Sequence, residues 1–128
     1  MVFNVNEKEG LTLLQTLPSK KDDLEVNNHC ADIHIDKNGK FLYGSNRGEN
    51  TIATFKIGKD GLLTLAGYTS CGGDWPRSFI LDPTGKYMLV GNQKSDSISV
   101  LKINRRTGLP SKLVSGVKMK IPACLKFY

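Results

Sequence analysis

Five side chains in this 128-residue chain stand out for the chemistry they could do: His29, Asp32, His34, Arg47 and Arg77. Asp32 and His34 lie two residues apart, so on an extended strand both project from one face, opposite Ile33 and Ile35. A carboxylate and an imidazole so placed can orient one another and move a proton near neutral pH. Arg47 and Arg77 carry permanent positive charge on planar forks that suit a phosphate or carboxylate, and that can also stabilise negative charge developing on an oxygen. Together these groups fit base-assisted attack of water on a carbonyl of an anionic molecule, with Asp32 or His34 as the base or its orienter. A plainer reading stands beside each: His34 can pack between sheets and bond backbone, and an arginine can stack on a neighbour or stay solvated.

Other chemistries find few residues. Cys30, Cys71 and Cys124 are odd in number and form no Cys-x-x-Cys pair, which reads as reduced, space-filling thiols. Two histidines and three dispersed cysteines lack zinc-type spacing, although His29, Cys30 and His34 are close in sequence, so no metal is expected. Without a Gly-x-Gly-x-x-Gly, Walker or Gly-x-Ser-x-Gly motif, no cofactor is expected either. The net charge of +6 favours an anionic partner, but the lysines are scattered over turns and strand ends without a basic stripe, which argues against nucleic acid. No apolar run approaches the roughly 18 residues of a membrane span. Met1–Val5 lacks the basic start and apolar core of a signal peptide, so a cytoplasmic location is expected.

These residues must be held by something, and the chain reveals what by repeating itself. An offset of 46 residues lays Asp36, Gly39, Lys40, Asn46, Ile52, Lys56 and Ile57 onto Asp82, Gly85, Lys86, Asn92, Ile98, Lys102 and Ile103. The same offset carries Trp75-Pro76 onto Ile121-Pro122. Each unit shows short alternating or apolar runs rich in β-branched and aromatic residues, about 31–35, 40–45, 51–57 and 63–69 in the clearest copy, joined by turn sequences such as Asn38-Gly39. Asp36 and Asp82 can bond their own backbone two residues on. No stretch calls for helix. The fold class is all-β, and four-stranded units of this length are the mark of a β-propeller, in which each blade buries its faces against its neighbours. The chain then divides into the tail of a preceding blade and a loop (1–27), two blades (28–73 and 74–119) and the first strand of a closing blade (120–128), about two and a half blades in all. Such a piece should leave two apolar blade faces without a partner. A small β-sandwich is the alternative fold.

The repeat also supplies an internal control. Asn46 and Asn92 are shared, which suits a structural role at a strand end. Arg47 corresponds to Gln93, Arg77 to Ala31 and Ala123, Asp32 to Ser78 and Cys124, and His29 to Trp75 and Ile121. These positions break the pattern and are freer to serve a site.

The run Ala31–Gly48, containing Ser45-Asn46-Arg47-Gly48, together with Pro76–Lys86, Gly91-Asn92-Gln93 and Ile121–Phe127, resembles the propeller-type lactonase family. That family includes 6-phosphogluconolactonases and carboxymuconate-cyclising enzymes. The resemblance implies a seven-bladed parent of which this is the C-terminal third, with the missing blades supplied by a longer chain or by self-association. It implies hydrolysis of a small anionic sugar lactone, most closely 6-phosphogluconolactone. For that reaction the residues singled out by alternation and the broken repeat put Asp32, His34 and Arg47 in catalytic roles and Arg77 and His29 at the substrate. Two departures are an Asp at position 32 where the family usually carries Glu, and a charged insertion at Ser19-Lys20-Lys21-Asp22-Asp23. A non-enzymatic propeller platform and a carboxymuconate cyclase are the other readings.

Overall fold

The computed structural model describes residues 1–21 and 25–128, with side chains for all of these except 112 and 113. Asp22 and Asp23 of the charged insertion therefore lie outside the described residues. Ten strands run in chain order: β1 (Val2–Asn6), β2 (Gly10–Gln15), β3 (His29–Ile35), β4 (Phe41–Arg47), β5 (Thr51–Ile57), β6 (Leu63–Ser70), β7 (Pro76–Leu81), β8 (Tyr87–Asn92), β9 (Ser97–Ile103) and β10 (Pro110–Lys118). They form a two-stranded ribbon β1-β2 and two four-stranded antiparallel sheets, β3-β4-β5-β6 and β7-β8-β9-β10. Each four-stranded sheet is a consecutive meander and one copy of the repeat, which makes them neighbouring propeller blades and sets the β-sandwich aside.

The turn chemistry is copied between blades. The Asp36 carboxylate accepts the backbone N–H groups of Lys40 at 2.6 Å and Phe41 at 2.8 Å. Asp82 does the same for Lys86 at 2.8 Å and Tyr87 at 2.7 Å. Gly39 and Gly85 complete both turns with φ of 65° and 67°, a conformation that a residue with a Cβ adopts only at a cost. Asp82 is held below the usual carboxylate range: burial pushes it up, but the Thr84 hydroxyl and the N–H groups of Tyr87, Thr84 and Lys86 outweigh that.

Between the blades lies one core of Phe41, Tyr43, Ile52, Cys71, Phe79, Met88, Val90, Leu101 and Ile103. Phe79 of β7 enters it fully buried, at the place where β7 packs on β3 and β4. The Tyr43 hydroxyl crosses the gap to donate to the Gly108 carbonyl at 2.9 Å, and burial followed by the Asp36 charge raises its pKa to about 12. Gly108 is required here because a Cβ would run into the Phe41 ring.

Three expectations are corrected. Arg47, expected in the joint 46–50, is the last residue of β4 and pairs with His29 across the ladder. Residues 120–128 form no strand: Pro122 packs on Gly91 and the Ile121 N–H bonds Asp96, but among the described residues no strand pairs with this segment. Only Cys71 is a space-filling thiol, its pKa raised to about 11 chiefly by burial, whereas Cys30 and Cys124 are exposed, with no further blade against them.

Candidate functional site

The five candidate side chains fall into two groups. At the loop end of the blades, His29 opens β3 and Arg47 closes β4, directly opposite in the ladder. Arg47 donates to the Cys30 carbonyl at 3.0 Å and sets its guanidinium carbon 5.5 Å from the centroid of the Trp75 ring. Its Nε is buried and has no hydrogen-bond partner among the described residues. The His29 ring lies 6.0 Å from the same indole, and the Lys94 ammonium lies 3.3 Å from its centroid. One aromatic ring from the second blade thus gathers basic groups from both blades.

The second group sits further along β3. His34 Nε2 meets the Asp32 carboxylate at 3.2 Å, as alternation on one face requires, and the imidazole packs edge-on against Phe79 with centroids 4.8 Å apart. Asp32 also accepts the backbone N–H of Ile33 at 2.9 Å and, across the blade boundary, that of Phe79 at 3.0 Å. Burial pushes the Asp32 pKa up, but the Phe79 N–H, the His34 imidazole and the Ser78 hydroxyl together hold it below the usual carboxylate range. Asp32 is therefore a well-partnered anion that ties one blade to the next and orients His34. His29 and His34 are five residue steps apart along β3, roughly 17 Å of chain at about 3.4 Å per step. The structure does not bring the Asp32–His34 pair together with Arg47.

Arg77 occupies a bulge in β7 between Pro76 and Ser78, at the register where the first blade has its own bulge between Cys30 and Ile33. A bulge re-aims the side chain that it carries. Arg77 is exposed and makes no hydrogen bond or ion pair among the described residues. A separate cleft of about 640 Å³ opens between the blades at the opposite, turn end, and of the five candidates only His34 lines it.

Trp75 and Lys94 were not among the residues singled out from the sequence, yet the repeat marks both, since Trp75 replaces His29 and Ile121, and Lys94 replaces Gly48. The Trp75 backbone itself is ordinary blade architecture. Asn50 Oδ1 accepts the Trp75 N–H at 2.9 Å, and in the next copy Asp96 Oδ1 accepts the Ile121 N–H at the same 2.9 Å. Trp75 and Ile121 share a positive φ, 66° and 47°. Asn46 and Asn92 keep to the structural role: both are fully buried, and their amides donate to Thr51 Oγ1 at 3.3 Å and Ser99 Oγ at 2.8 Å. No group of three potential metal ligands occurs among the described residues.

The chain matches the model of the family described as "Lactonase, 7-bladed beta-propeller" over residues 1–127. It is 31% identical over 115 residues to a 6-phosphogluconolactonase of Bacillus subtilis (strain 168), covering 89% of this chain and 33% of that protein. It is 45% identical over 103 residues to a 6-phosphogluconolactonase of Formosa agariphila, covering 75% and 28%. A Lactobacillus plantarum protein superposes with a TM-score of 0.89 at 35% identity, over 95% of this chain and 36% of that one. The Pseudomonas aeruginosa periplasmic gluconolactonase superposes at 0.88 and 29%, over 94% and 34%. The chain thus spans about a third of the length of these relatives. With the repeat, the copied turns and the blade-to-blade core, this match means that the chain belongs to the seven-bladed β-propeller lactonase family.

Proposed function

We propose that this chain supplies blades of a lactone hydrolase that acts on an anionic sugar lactone of the 6-phosphogluconolactone class. The observation that carries the reading is Arg47, a guanidinium fixed between the Cys30 carbonyl and the Trp75 face, whose one side-chain hydrogen bond among the described residues is the Nη2 bond to Cys30. A guanidinium held on an aromatic face with donors to spare can hold an anion. Arg77, free of protein partners among the described residues, adds a second fork on the neighbouring inner strand.

In this mechanism the arginines hold the anion and stabilise charge developing on the lactone carbonyl oxygen while water attacks the carbonyl carbon. The water loses its proton to an imidazole, the ester C–O bond breaks, and the imidazolium returns that proton to the departing ring oxygen, so that the alcohol and the sugar acid form. His29, across the ladder from Arg47, is placed to take that proton from a lactone held at Arg47, whereas His34, oriented by ionised Asp32, would serve as base only for a lactone bound further along β3, away from Arg47. Hydrolysis measured on His29→Gln and His34→Gln separates them, since loss of the base removes the ascending limb of the pH–kcat/KM profile and loss of a packing residue leaves it in place. Replacing Arg47 with Ala is expected to lower kcat/KM by about a hundredfold, the size of effect that an anion-stabilising donor has. A variant with unchanged kcat/KM ends the assignment.

The remaining blades of the propeller would come from a longer chain or from further copies of this one. No helix among the described residues is long and apolar enough to cross a membrane. The cytoplasmic location expected from the sequence belongs to this same proposal.

A further inference from the structure

Around Trp75 the 46-residue repeat is broken at several positions at once. Trp75 stands where the neighbouring copies have His29 and Ile121, Arg47 where the next copy has Gln93, and Lys94 where the first blade has Gly48. The backbone at Trp75 is shared architecture, so what has changed is the side chains that converge on it. Lys94 Nζ lies 3.3 Å from the indole centroid and the Arg47 guanidinium carbon 5.5 Å from it. Two cations drawn to one ring repel each other, and an anion beside them would relieve that repulsion. Among the described residues Lys94 forms no ion pair, and the one side-chain hydrogen bond of Arg47 is from Nη2 to the Cys30 carbonyl. Both cations therefore keep unused donors at one partly exposed ring.

We propose that Lys94, seated on Trp75, is a specificity-determining residue that reads the phosphate of a phosphorylated sugar lactone, with Arg47 completing the subsite. The inference rests on the lactonase reading and deepens it. A phosphate monoester is close to a dianion at neutral pH and matches two cations, whereas an unphosphorylated sugar lactone brings no charge to set against them. The indole restricts the long lysine side chain, which lowers the ordering cost when the ligand arrives.

Trp75 is the single tryptophan of the chain, so its emission reports on this subsite directly. The full chain is titrated with 6-phosphogluconate, gluconate and inorganic phosphate. A saturable change with 6-phosphogluconate, a weaker one with inorganic phosphate and none with gluconate are expected. Lys94→Ala should raise the Kd for 6-phosphogluconate about tenfold, the effect of one charge-assisted hydrogen bond, and Lys94→Arg should restore most of it. The ratio of kcat/KM for phosphorylated over unphosphorylated gluconolactone should fall by a similar factor in Lys94→Ala. The proposal is overturned if no ligand gives a saturable response, if Lys94→Ala binds as tightly as the parent, or if gluconate or inorganic phosphate binds as tightly as 6-phosphogluconate. A chain that shows the expected binding but hydrolyses neither lactone keeps the subsite and loses the lactonase reading. One that hydrolyses both with a ratio untouched by Lys94→Ala keeps the activity and loses the subsite.

Discussion

Arg47 and Asp32 are charged residues in contrasting surroundings. Among the described residues Arg47 has a buried N–H without an acceptor, whereas both Asp32 oxygens are engaged, one by the Ile33 N–H and His34 and the other by the Phe79 N–H of the next blade. The sequence placed Asp32 and His34 on one face correctly, because alternation is a local property of a strand. It left open that the Asp32 carboxylate bridges two blades, because contacts across a blade boundary have no short-range signature. Since the folded pKa of Asp32 lies below its unfolded value, its contribution to stability is present above the ordinary Asp pKa of about 3.9 and is lost as pH falls through the lower folded value. Asp32→Asn should therefore destabilise the chain by about 1 kcal/mol at pH 7, a modest figure because the group is partly exposed to solvent. Urea unfolding of parent and variant at pH 7 and at pH 3 should show that difference shrinking at the acid end; a constant difference means that the carboxylate charge contributes nothing.

At the scale of the elements, β7 is the strand on which the two-blade unit depends. Phe79 is fully buried in the inter-blade core, touches His34 with its ring and gives its backbone N–H to Asp32. Phe79→Ala should cost about 3–5 kcal/mol, the range for deleting a buried aromatic, and thermal unfolding followed by circular dichroism would measure it. A loss below about 1 kcal/mol would mean that the blades are held by something else. The blade strands were legible because the 46-residue offset repeats both their hydrophobic pattern and their Asp-to-Gly turns. Their ends were less so. Arg47 read as loop because Asn46-Arg47-Gly48 is polar, yet pairing with His29 carries β4 one residue beyond Asn46. Residues 120–128 carry a strand pattern copied from 74–82, but a pattern becomes a strand only beside a partner. The grouping at Trp75 was hidden for a related reason: residues 29, 47, 75 and 94 meet only after the blades stack.

At the scale of the whole molecule, the apolar surface left uncovered is the dominant feature. Val5 and Leu11 of the β1-β2 ribbon are 78% and 67% exposed, and Ile33 and Ile121 are 64% and 63% exposed. These are strand and blade-edge positions whose repeat partners are buried or better covered, such as Phe79, the equivalent of Ile33, at 0%. A propeller with further blades would cover them, and the ribbon already shows the mode of attachment in the paired bonds between the Gln15 side chain and the Leu63 backbone at 2.9 and 2.8 Å. Apolar patches of this kind seek a partner, so the isolated chain should associate. The most direct measurement is the solution mass of the purified chain by light scattering, with hydrolysis of 6-phosphogluconolactone followed on the same fractions. Blades that carry a lactonase site and need neighbours predict mass well above the 14.1 kDa monomer, with hydrolysis confined to the associated fractions. A stable monomer that hydrolyses the lactone, or folded assemblies with no hydrolysis at all, would contradict that account.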